Sequence, residues 1–201
     1  MLKDIHCSKI FELGVKKIFQ FAEISSTNDW AKEFLHREDA FHDLPALVLA
    51  DRQTSGRGQG NHQWWSPEGM LPFSFITTWE HFHLDRRESS TLSLFIAEVV
   101  SKTVASFLNE KRISVPVRTV PPNDVFADNK KIAGILIESP TPHTLIIGIG
   151  INLNNSALNA PDPLKNQLTT IRDLVGEEVD PFDFLFRFFT FPDLLVPFKE
   201  F

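Results

Sequence analysis

The sequence predicts an α+β protein in which helices pack on a mixed, mostly antiparallel sheet. Apolar residues recur at helical spacing over residues 89–110, and apolar runs of strand length occupy residues 47–52, 72–79 and 145–153. Two further strand-like segments flank the turn residues 127–130, as expected for a hairpin. Because most of the strands can be joined as hairpins, we expect an antiparallel sheet that helices cover on one face.

Capping residues and apolar runs predict the elements of the first half. The apolar residues of segment 1–24 recur at no clear spacing, so we expect one or two short strands or an irregular lead-in there. The cluster Ser25–Asp29 has the residue types that cap helices, and it predicts a helix that ends near His36. The strand at residues 47–52 then leads into a glycine-rich loop, and the strand at residues 72–79 follows that loop.

In the second half, prolines, glycines and turn residues separate shorter elements. Pro121 and Pro122 end a β-branched run, and Gly176 ends a short helix. Asp180 and Pro181 are of the types that begin a helix. The predicted strands are residues 115–120, 125–126, 132–138 and 145–153, and the predicted helices are residues 169–175 and 181–189.

Composition is that of a single domain with a substantial core. The 201 residues are 42% hydrophobic and carry a net charge of −6, which argues against a broad basic surface for nucleic acid. The single cysteine, Cys7, excludes an intramolecular disulfide and is typical of a reducing compartment. Charged residues interrupt Met1–Phe21, so we expect neither a signal peptide nor a membrane span and interpret the chain as cytoplasmic.

The glycine-rich loop Ser55–Gly60 is the first candidate for a binding site. Its glycines have no Cβ, so the backbone can approach a ligand closely. Arg57, within the loop, can bind a carboxylate or a phosphate through two parallel hydrogen bonds. The loop lacks the Gly-Lys-Ser/Thr ending of a P-loop and the helix that follows a dinucleotide fingerprint. By itself, such a loop is more often a surface turn.

Further polar clusters lie at the ends of apolar segments, and their order is informative. They are Ser26-Thr27-Asn28, Gln53 to Gly58 with Trp64 after it, Pro122-Asn123-Asp124, Lys131 to Leu136, and Gly148 to Asn154. From about Glu23 to Asn155, the set resembles the catalytic domain of biotin–protein ligases. That family has Ser-Thr-Asn before its first helix, a Gly-Arg-Gly loop, a Pro-Asn-Asp turn, Lys-x-x-Gly-Ile-Leu and a glycine-rich strand ending in asparagine. Each motif alone is common, but five motifs in this order are specific.

The resemblance implies a fold like that of class II aminoacyl-tRNA synthetases and a two-step reaction. The carboxylate of biotin attacks the α-phosphorus of ATP, with Mg²⁺ accompanying the nucleotide, and gives biotinyl-5′-AMP and pyrophosphate. A lysine of an acceptor protein then takes the biotinyl group as an amide. The implied acceptor is a biotin carboxyl carrier protein, a subunit of acetyl-CoA carboxylase.

The resemblance also implies site residues. Lys131 and Arg57 are expected to be catalytic, because their charges would offset the repulsion between two anionic substrates. Asp124 is the expected Mg²⁺ ligand, through water. The expected biotin-binding residues are Ser26, Thr27, Asn28, Gln53, Gly56, Arg57, Gly58, Gln59, Lys131 and Gly134, and the expected nucleotide and magnesium residues are Trp64, Asn123, Asp124 and Asn152.

Without the resemblance, the same residues have plainer interpretations. Ser26, Thr27 and Asn28 are then helix caps, Asn123 and Asp124 form a turn, and Lys131 is a solvated hairpin lysine like Lys130. Capping and turn formation are also compatible with a binding role, so both interpretations stay open.

Two positions depart from the family pattern. Gln59 stands where relatives commonly have a second arginine, so a weaker grip on an acyl phosphate is expected. Val120-Pro121 stands where relatives have Lys-Trp, which removes a cation and an indole from the nucleotide side. We expect residues 1–160 to be the catalytic domain and residues 161–201 to be its helical tail. A DNA-binding domain before Glu23 and a complete SH3-like C-terminal domain are not expected.

Other functions remain as alternatives. A lipoate- or octanoate-transferring ligase would share the fold, but its Arg-Arg and Gly-Gly-Gly loop is absent from the sequence. A non-catalytic relative would bind biotin and release no pyrophosphate. The sequence predicts no DNA or membrane partner, and it leaves both a monomer and a homodimer open.

Overall fold

The computed structural model describes residues 4–60, 62–192 and 194. Parts of the predicted lead-in (residues 1–3) and of the predicted tail (193 and 195–201) lie outside the described residues. The helices are α1 (Asp4–Glu12), α2 (Thr27–Leu35), α3 (Ser89–Glu110), α4 (Ile171–Val175) and α5 (Pro181–Phe189). The strands are β1 (Lys17–Ile24), β2 (Ala46–Gln53), β3 (Leu71–Thr78), β4 (Val117–Val120), β5 (Asp124–Ala127), β6 (Lys130–Glu138) and β7 (Thr144–Ile151).

The described strands form one seven-stranded sheet in the order β1-β2-β3-β7-β6-β5-β4. Strands β1 and β2 pair in parallel, and the remaining neighbours pair antiparallel. Asp128 and Asn129, at φ 51° and 59°, form the turn between β5 and β6. Positive φ at both central residues is typical of a tight hairpin whose twist matches its strands. The predicted α+β class and the predicted hairpin are confirmed.

The beginning of the chain differs from the prediction. Strand β1 is present, but the segment before it is the helix α1 and not a strand or an irregular lead-in. This helix packs against α5, where the ring of His6 stacks on Phe182 with centroids 4.2 Å apart and Ile10 is fully buried. Contacts with a helix that is distant in the sequence therefore stabilise α1, since its own sequence has weak helical periodicity.

Helices cover both faces of the sheet, so the prediction of one covered face is wrong. Leu47 and Leu49 of β2 point into the main core, which also contains residues of α3 and α5. Ala46 and Val48 point the other way, into a smaller core beneath α2. Because side chains alternate along a strand, a strand that is apolar on both sides needs a cover on each face.

The long helix α3 crosses the back of strands β4, β5 and β6. Among the described residues, Arg86–Glu110 is the one helical segment that is long and apolar enough to cross a membrane, at 25 residues and a mean hydropathy of 1.5. The most apolar stretch of this helix is 61% buried inside the protein, as expected for a helix that packs in a core. Ile96, Val99 and Val100 are completely buried against the sheet.

Candidate functional site

Three glycines of β6 and β7 lie in a cavity wall on the α2 face of the sheet. In β7, Ile147 and Ile149 point into the main core, whereas Gly148 and Gly150 face α2. Gly134 of β6 lies directly beside Gly150 in the register. These three glycines line a cavity of about 710 Å³. That size is within the range of small-molecule sites.

Two side chains use the space above the glycines. The amide of Asn28 lies where a Cβ on Gly148 would be, and no real Cβ could come that close. The indole of Trp64 covers Gly134 and Gly150, whose Cβ atoms would lie 2.9 Å and 2.6 Å from it. The indole N–H donates to the sulfur of Met70 at 3.1 Å. Asn28 and Trp64 therefore depend on the glycines beneath them.

A chain of neutral hydrogen bonds lines one end of the cavity. The backbone N–H and the hydroxyl of Thr27 both donate to Oε1 of Gln53, at 2.8 Å and 3.1 Å. The hydroxyl of Ser74 lies 2.8 Å from Oγ1 of Thr27 and donates to Oδ1 of Asn28 at 2.6 Å. Nε2 of Gln53 donates to Ser66 at 3.2 Å. The backbone N–H of Thr27 can only donate, so it determines which way the Gln53 amide points.

Ser26 caps helix α2, and its hydroxyl accepts the N–H of Asp29 at 3.4 Å. It also lines the cavity, so the capping and cavity interpretations are both compatible with its position. Gly56 does not line the cavity; its missing Cβ makes room for the carbonyl of Trp64 and the amide of Gln53. Gly56 thus allows the loop backbone to pack closely against Trp64 and Gln53.

Arg57 already has two carboxylate partners. Its Nε and Nη2 donate to Asp29 at 3.2 Å and 2.5 Å, and Nη2 also lies 3.2 Å from Oε2 of Glu138. Burial alone would lower the pKa of Arg57, but Glu138 and Asp29 outweigh it and raise that pKa. Lys32 adds a second cation, 2.7 Å from Glu138. The sequence analysis treated Arg57 as ready for a substrate anion, whereas the structure shows it paired.

Glu138 is a site residue that the sequence analysis missed. It ends strand β6 and contacts Asn28, Lys32 and Arg57. Burial alone would raise the pKa of Glu138, but the hydrogen bonds from Lys32 and Asn28 and the charge of Arg57 lower it below its ordinary value. A glutamate at the end of an apolar strand carries no sequence signal of such contacts.

Lys131 also lines the cavity. Its ammonium is 2.7 Å from Oδ1 of Asp124 and 5.1 Å above the ring of Trp64. Its backbone is held by Gln167, whose carbonyl accepts the Lys131 N–H at 2.8 Å. Lys130, next to it, is exposed. Of the two hairpin lysines, Lys131 thus faces the cavity, as the sequence analysis expected.

Asp124 has the features of a magnesium ligand. Its Oδ1 lies 2.7 Å from the Lys131 ammonium and is paired with it. A carboxylate has about four lone-pair positions on its two oxygens, so Asp124 can bind a hard cation as well as the ammonium. No group of three or more His, Cys, Asp or Glu residues in the described part of the chain could hold a metal ion. Asp124 therefore fits a Mg²⁺ ion that takes its other ligands from water and phosphates.

Two asparagines bond to the protein backbone. Nδ2 of Asn123 donates to the carbonyl of Ile135 at 2.7 Å. Nδ2 of Asn152 donates to the carbonyl of Lys131 at 3.4 Å, and its Oδ1 accepts from Asn155. Both asparagines still line the cavity. Their amides hold the β5–β6 and β6–β7 segments in position around Lys131.

The structure brings the expected site residues together around one cavity, with Gly56 as the exception. Arg57 comes from the loop between β2 and β3, and Lys131 comes from β6, yet both line this cavity. Cavity-lining residues outside the motifs named in the sequence analysis are His62, Gln63, Trp65, Phe126, Asn129, Leu164, Asn166, Gln167 and Leu168.

The chain is similar to known proteins in both sequence and fold. Residues 21–152 match the model of the biotin/lipoate A/B protein ligase family. The chain is 32% identical over 174 residues to the bifunctional ligase/repressor BirA of Bacillus spizizenii, covering 84% of this chain and 50% of that protein. It is 30% identical to the biotin–protein ligase of Homo sapiens, covering 80% of this chain and 21% of that protein. The chain thus spans half or less of the length of these curated relatives.

Two solved structures are similar over most of the described fold. The biotin protein ligase of Aquifex aeolicus in complex with biotin and ATP superposes with a TM-score of 0.67 at 30% identity, covering 87% of this chain and 67% of that one. The Leishmania major biotin protein ligase in complex with biotinyl-5-AMP gives a TM-score of 0.69 at 26% identity, covering 86% of this chain and 71% of that one. The chain belongs to the biotin/lipoate A/B protein ligase family.

Proposed function

We propose that this chain is the catalytic part of an ATP-dependent ligase that activates biotin as biotinyl-5′-AMP and transfers it to a lysine of a carrier protein. The observation that carries the proposal is the shared cavity of Lys131 and the Thr27–Asn28–Gln53 hydrogen-bond chain. The hydrogen-bond chain offers neutral donors and acceptors, and Lys131 offers a cation. That division suits a ligand with a polar, uncharged ring and a carboxylate tail.

The proposed role of Lys131 is to stabilise negative charge as the carboxylate and the α-phosphate meet. Asp124 holds the ammonium 2.7 Å away and so keeps it at the cavity wall before substrate arrives. The magnesium that Asp124 would hold through water supplies further positive charge to the phosphates. An incoming anion thus meets a positioned cation.

The proposed role of Arg57 requires an exchange of partners. The Arg57 side chain is 36% exposed, and the side chain of Asp29, which it binds, is 39% exposed. Ion pairs this exposed contribute little, so a substrate carboxylate or phosphate can replace Asp29 at small cost. Arg57 then binds substrate through Nε and Nη2, the two groups that now bind Asp29. Glu138 continues to bind Nη1 and Nη2.

The proposed acceptor is a biotin carboxyl carrier protein of acetyl-CoA carboxylase. A relative from Paracoccus denitrificans, 28% identical over 157 residues, is named biotin–[acetyl-CoA-carboxylase] ligase, which supports this acceptor class. An archaeal lipoate protein ligase shares the fold at 13% identity. We favour biotin over lipoate because the hydrogen-bond chain suits a ureido group, whereas lipoate has no polar ring.

Biotin-dependent exchange of pyrophosphate into ATP tests the activation step. The wild type is expected to exchange with biotin and not with lipoate. Lys131→Ala should lower the exchange rate by roughly 10²–10³-fold, as when one charge-stabilising group is lost. Lys130→Ala is the matched control, because Lys130 is the exposed neighbour on the same strand. Biotin binding by calorimetry without any exchange would instead indicate a non-catalytic relative.

A further inference from the structure

We propose that Glu138 is a positioning residue that fixes the orientation of the Asn28 amide, so that the cavity presents a hydrogen-bond acceptor to its ligand. This inference rests on the proposed function, because it concerns how the same cavity selects biotin. It predicts that the ligand group near Asn28 must carry an N–H donor. A cyclic urea has such a group.

The first step of the argument is the contact between Glu138 and Asn28. An ionised carboxylate can only accept hydrogen bonds. Oε2 of Glu138 lies 2.8 Å from Nδ2 of Asn28, so the amide must direct its NH₂ group toward Glu138. The second N–H of that group reaches the carbonyl of Leu136 at 3.4 Å. Both donors of Asn28 therefore have partners within the protein.

The second step concerns the other end of the same amide. Oδ1 of Asn28 accepts the hydroxyl proton of Ser74 at 2.6 Å, and a carbonyl oxygen has a second lone pair. Asn28 lines the cavity, and its oxygen is the one atom of its amide with spare capacity. A flipped amide would place that oxygen against the Glu138 carboxylate, where two acceptors repel each other. The acceptor at the cavity is therefore set by Glu138.

The third step is that Glu138 stays ionised. Lys32 lies 2.7 Å from its Oε1, and Arg57 lies 3.2 Å from its Oε2. Glu138 itself has a side chain that is only 20% exposed, so these charges act with limited screening by solvent. The two cations hold the carboxylate in the form that can only accept. A ligand acceptor at Asn28 would then find no donor.

The test compares three variants for biotin affinity by calorimetry. Glu138→Gln keeps the shape but can donate, so the amide of Asn28 is free to flip. We expect its Kd for biotin to rise by roughly 10-fold, as when a buried polar group is left without its hydrogen-bond partner. Asn28→Asp places two carboxylates together and should bind biotin at least as poorly. In the double variant the amide introduced by Glu138→Gln can donate to the carboxylate introduced by Asn28→Asp, so most of the lost affinity should return.

The controls separate positioning from general damage. Glu33→Gln makes the same chemical change on an exposed face of α2, and its biotin Kd should equal that of the wild type. The double variant has the net charge of the wild type, so it remains informative where a single variant fails to fold. A double variant that unfolds or does not bind biotin overturns the proposal, as does a Glu138→Gln variant with wild-type affinity.

The side-chain amide signal of Asn28 in NMR spectra is a readout that needs no ligand. The chemical shift of this signal should change in Glu138→Gln and should equal that of the wild type in Glu33→Gln. A wild type that binds no biotin would end the proposed function, while the NMR shift would still report whether Glu138 orients Asn28. An unmoved signal beside normal wild-type binding would end the positioning proposal alone.

Discussion

The ammonium of Lys131 is held between Oδ1 of Asp124, 2.7 Å away, and the ring of Trp64, whose centroid is 5.1 Å away. A carboxylate and an aromatic face both attract a cation. Asp124 begins β5 and Lys131 lies in β6, and these two strands pair, so the backbone positions the two charges as well. An anionic substrate would enter a site where one positive charge is already placed.

Asp124→Asn should raise the magnesium concentration needed for pyrophosphate exchange. The amide keeps the shape but lacks the charge that attracts a hard cation. The measurement is the exchange rate as a function of Mg²⁺ concentration. Asp128→Asn is the matched control, because Asp128 is an exposed turn residue with φ 51° and asparagine tolerates that backbone. An unchanged magnesium requirement in Asp124→Asn would argue against a metal role.

Gly150→Ala should displace Trp64 and destabilise the protein by roughly 1–3 kcal/mol, as overpacking does. Its new Cβ would lie 2.6 Å from the indole nitrogen and 2.7 Å from Cε of Met70. Urea unfolding measures the loss. Gly58→Ala serves as the control for stability, because the atoms nearest to its Cβ would be 3.6 Å away. Equal unfolding midpoints for the two variants would contradict the packing described here.

Stability should depend on acid pH through Glu138. Its pKa in the folded protein is below the ordinary value of 4.5, so the folded state favours the ionised form. That contribution is fully present above pH 4.5 and is lost as the pH falls through the lowered pKa. The difference in free energy of unfolding between the wild type and Glu138→Gln should therefore shrink below pH 4.5. A difference that stays constant from neutral pH to well below that value would refute the expectation.

If the proposed adenylate forms, Gln59→Arg should slow its release. Gln59 is exposed at the cavity rim and offers hydrogen bonds without charge. An arginine there adds a cation that can bind an acyl phosphate. The measurement is the rate at which labelled adenylate leaves the protein in single-turnover experiments. Equal release rates in the wild type and Gln59→Arg would show that the missing charge has no consequence.

Local sequence was sufficient for most of the elements. The Ser26 cap, the turn at Asp128-Asn129 and the left-handed Gly176 at the end of α4 act within a few residues of themselves. Helix caps and tight turns can be predicted from a single sequence because their hydrogen bonds and backbone angles involve residues only a few positions apart. The helix α3 was predicted with the bounds that the structure has, since its apolar period is long and regular.

Sequence alone thus determined the α+β class, most helices and strands, and the polar motifs that surround the cavity. Tertiary structure decided that α1 is a helix, that α2 covers the second face of the sheet, and that Arg57 is already paired. It also brought Glu138 to Asn28 and Arg57 across 110 and 81 positions of the chain. The reason is that side-chain charges and amides act over a few ångströms in space, and only the folded sheet sets which of them are neighbours.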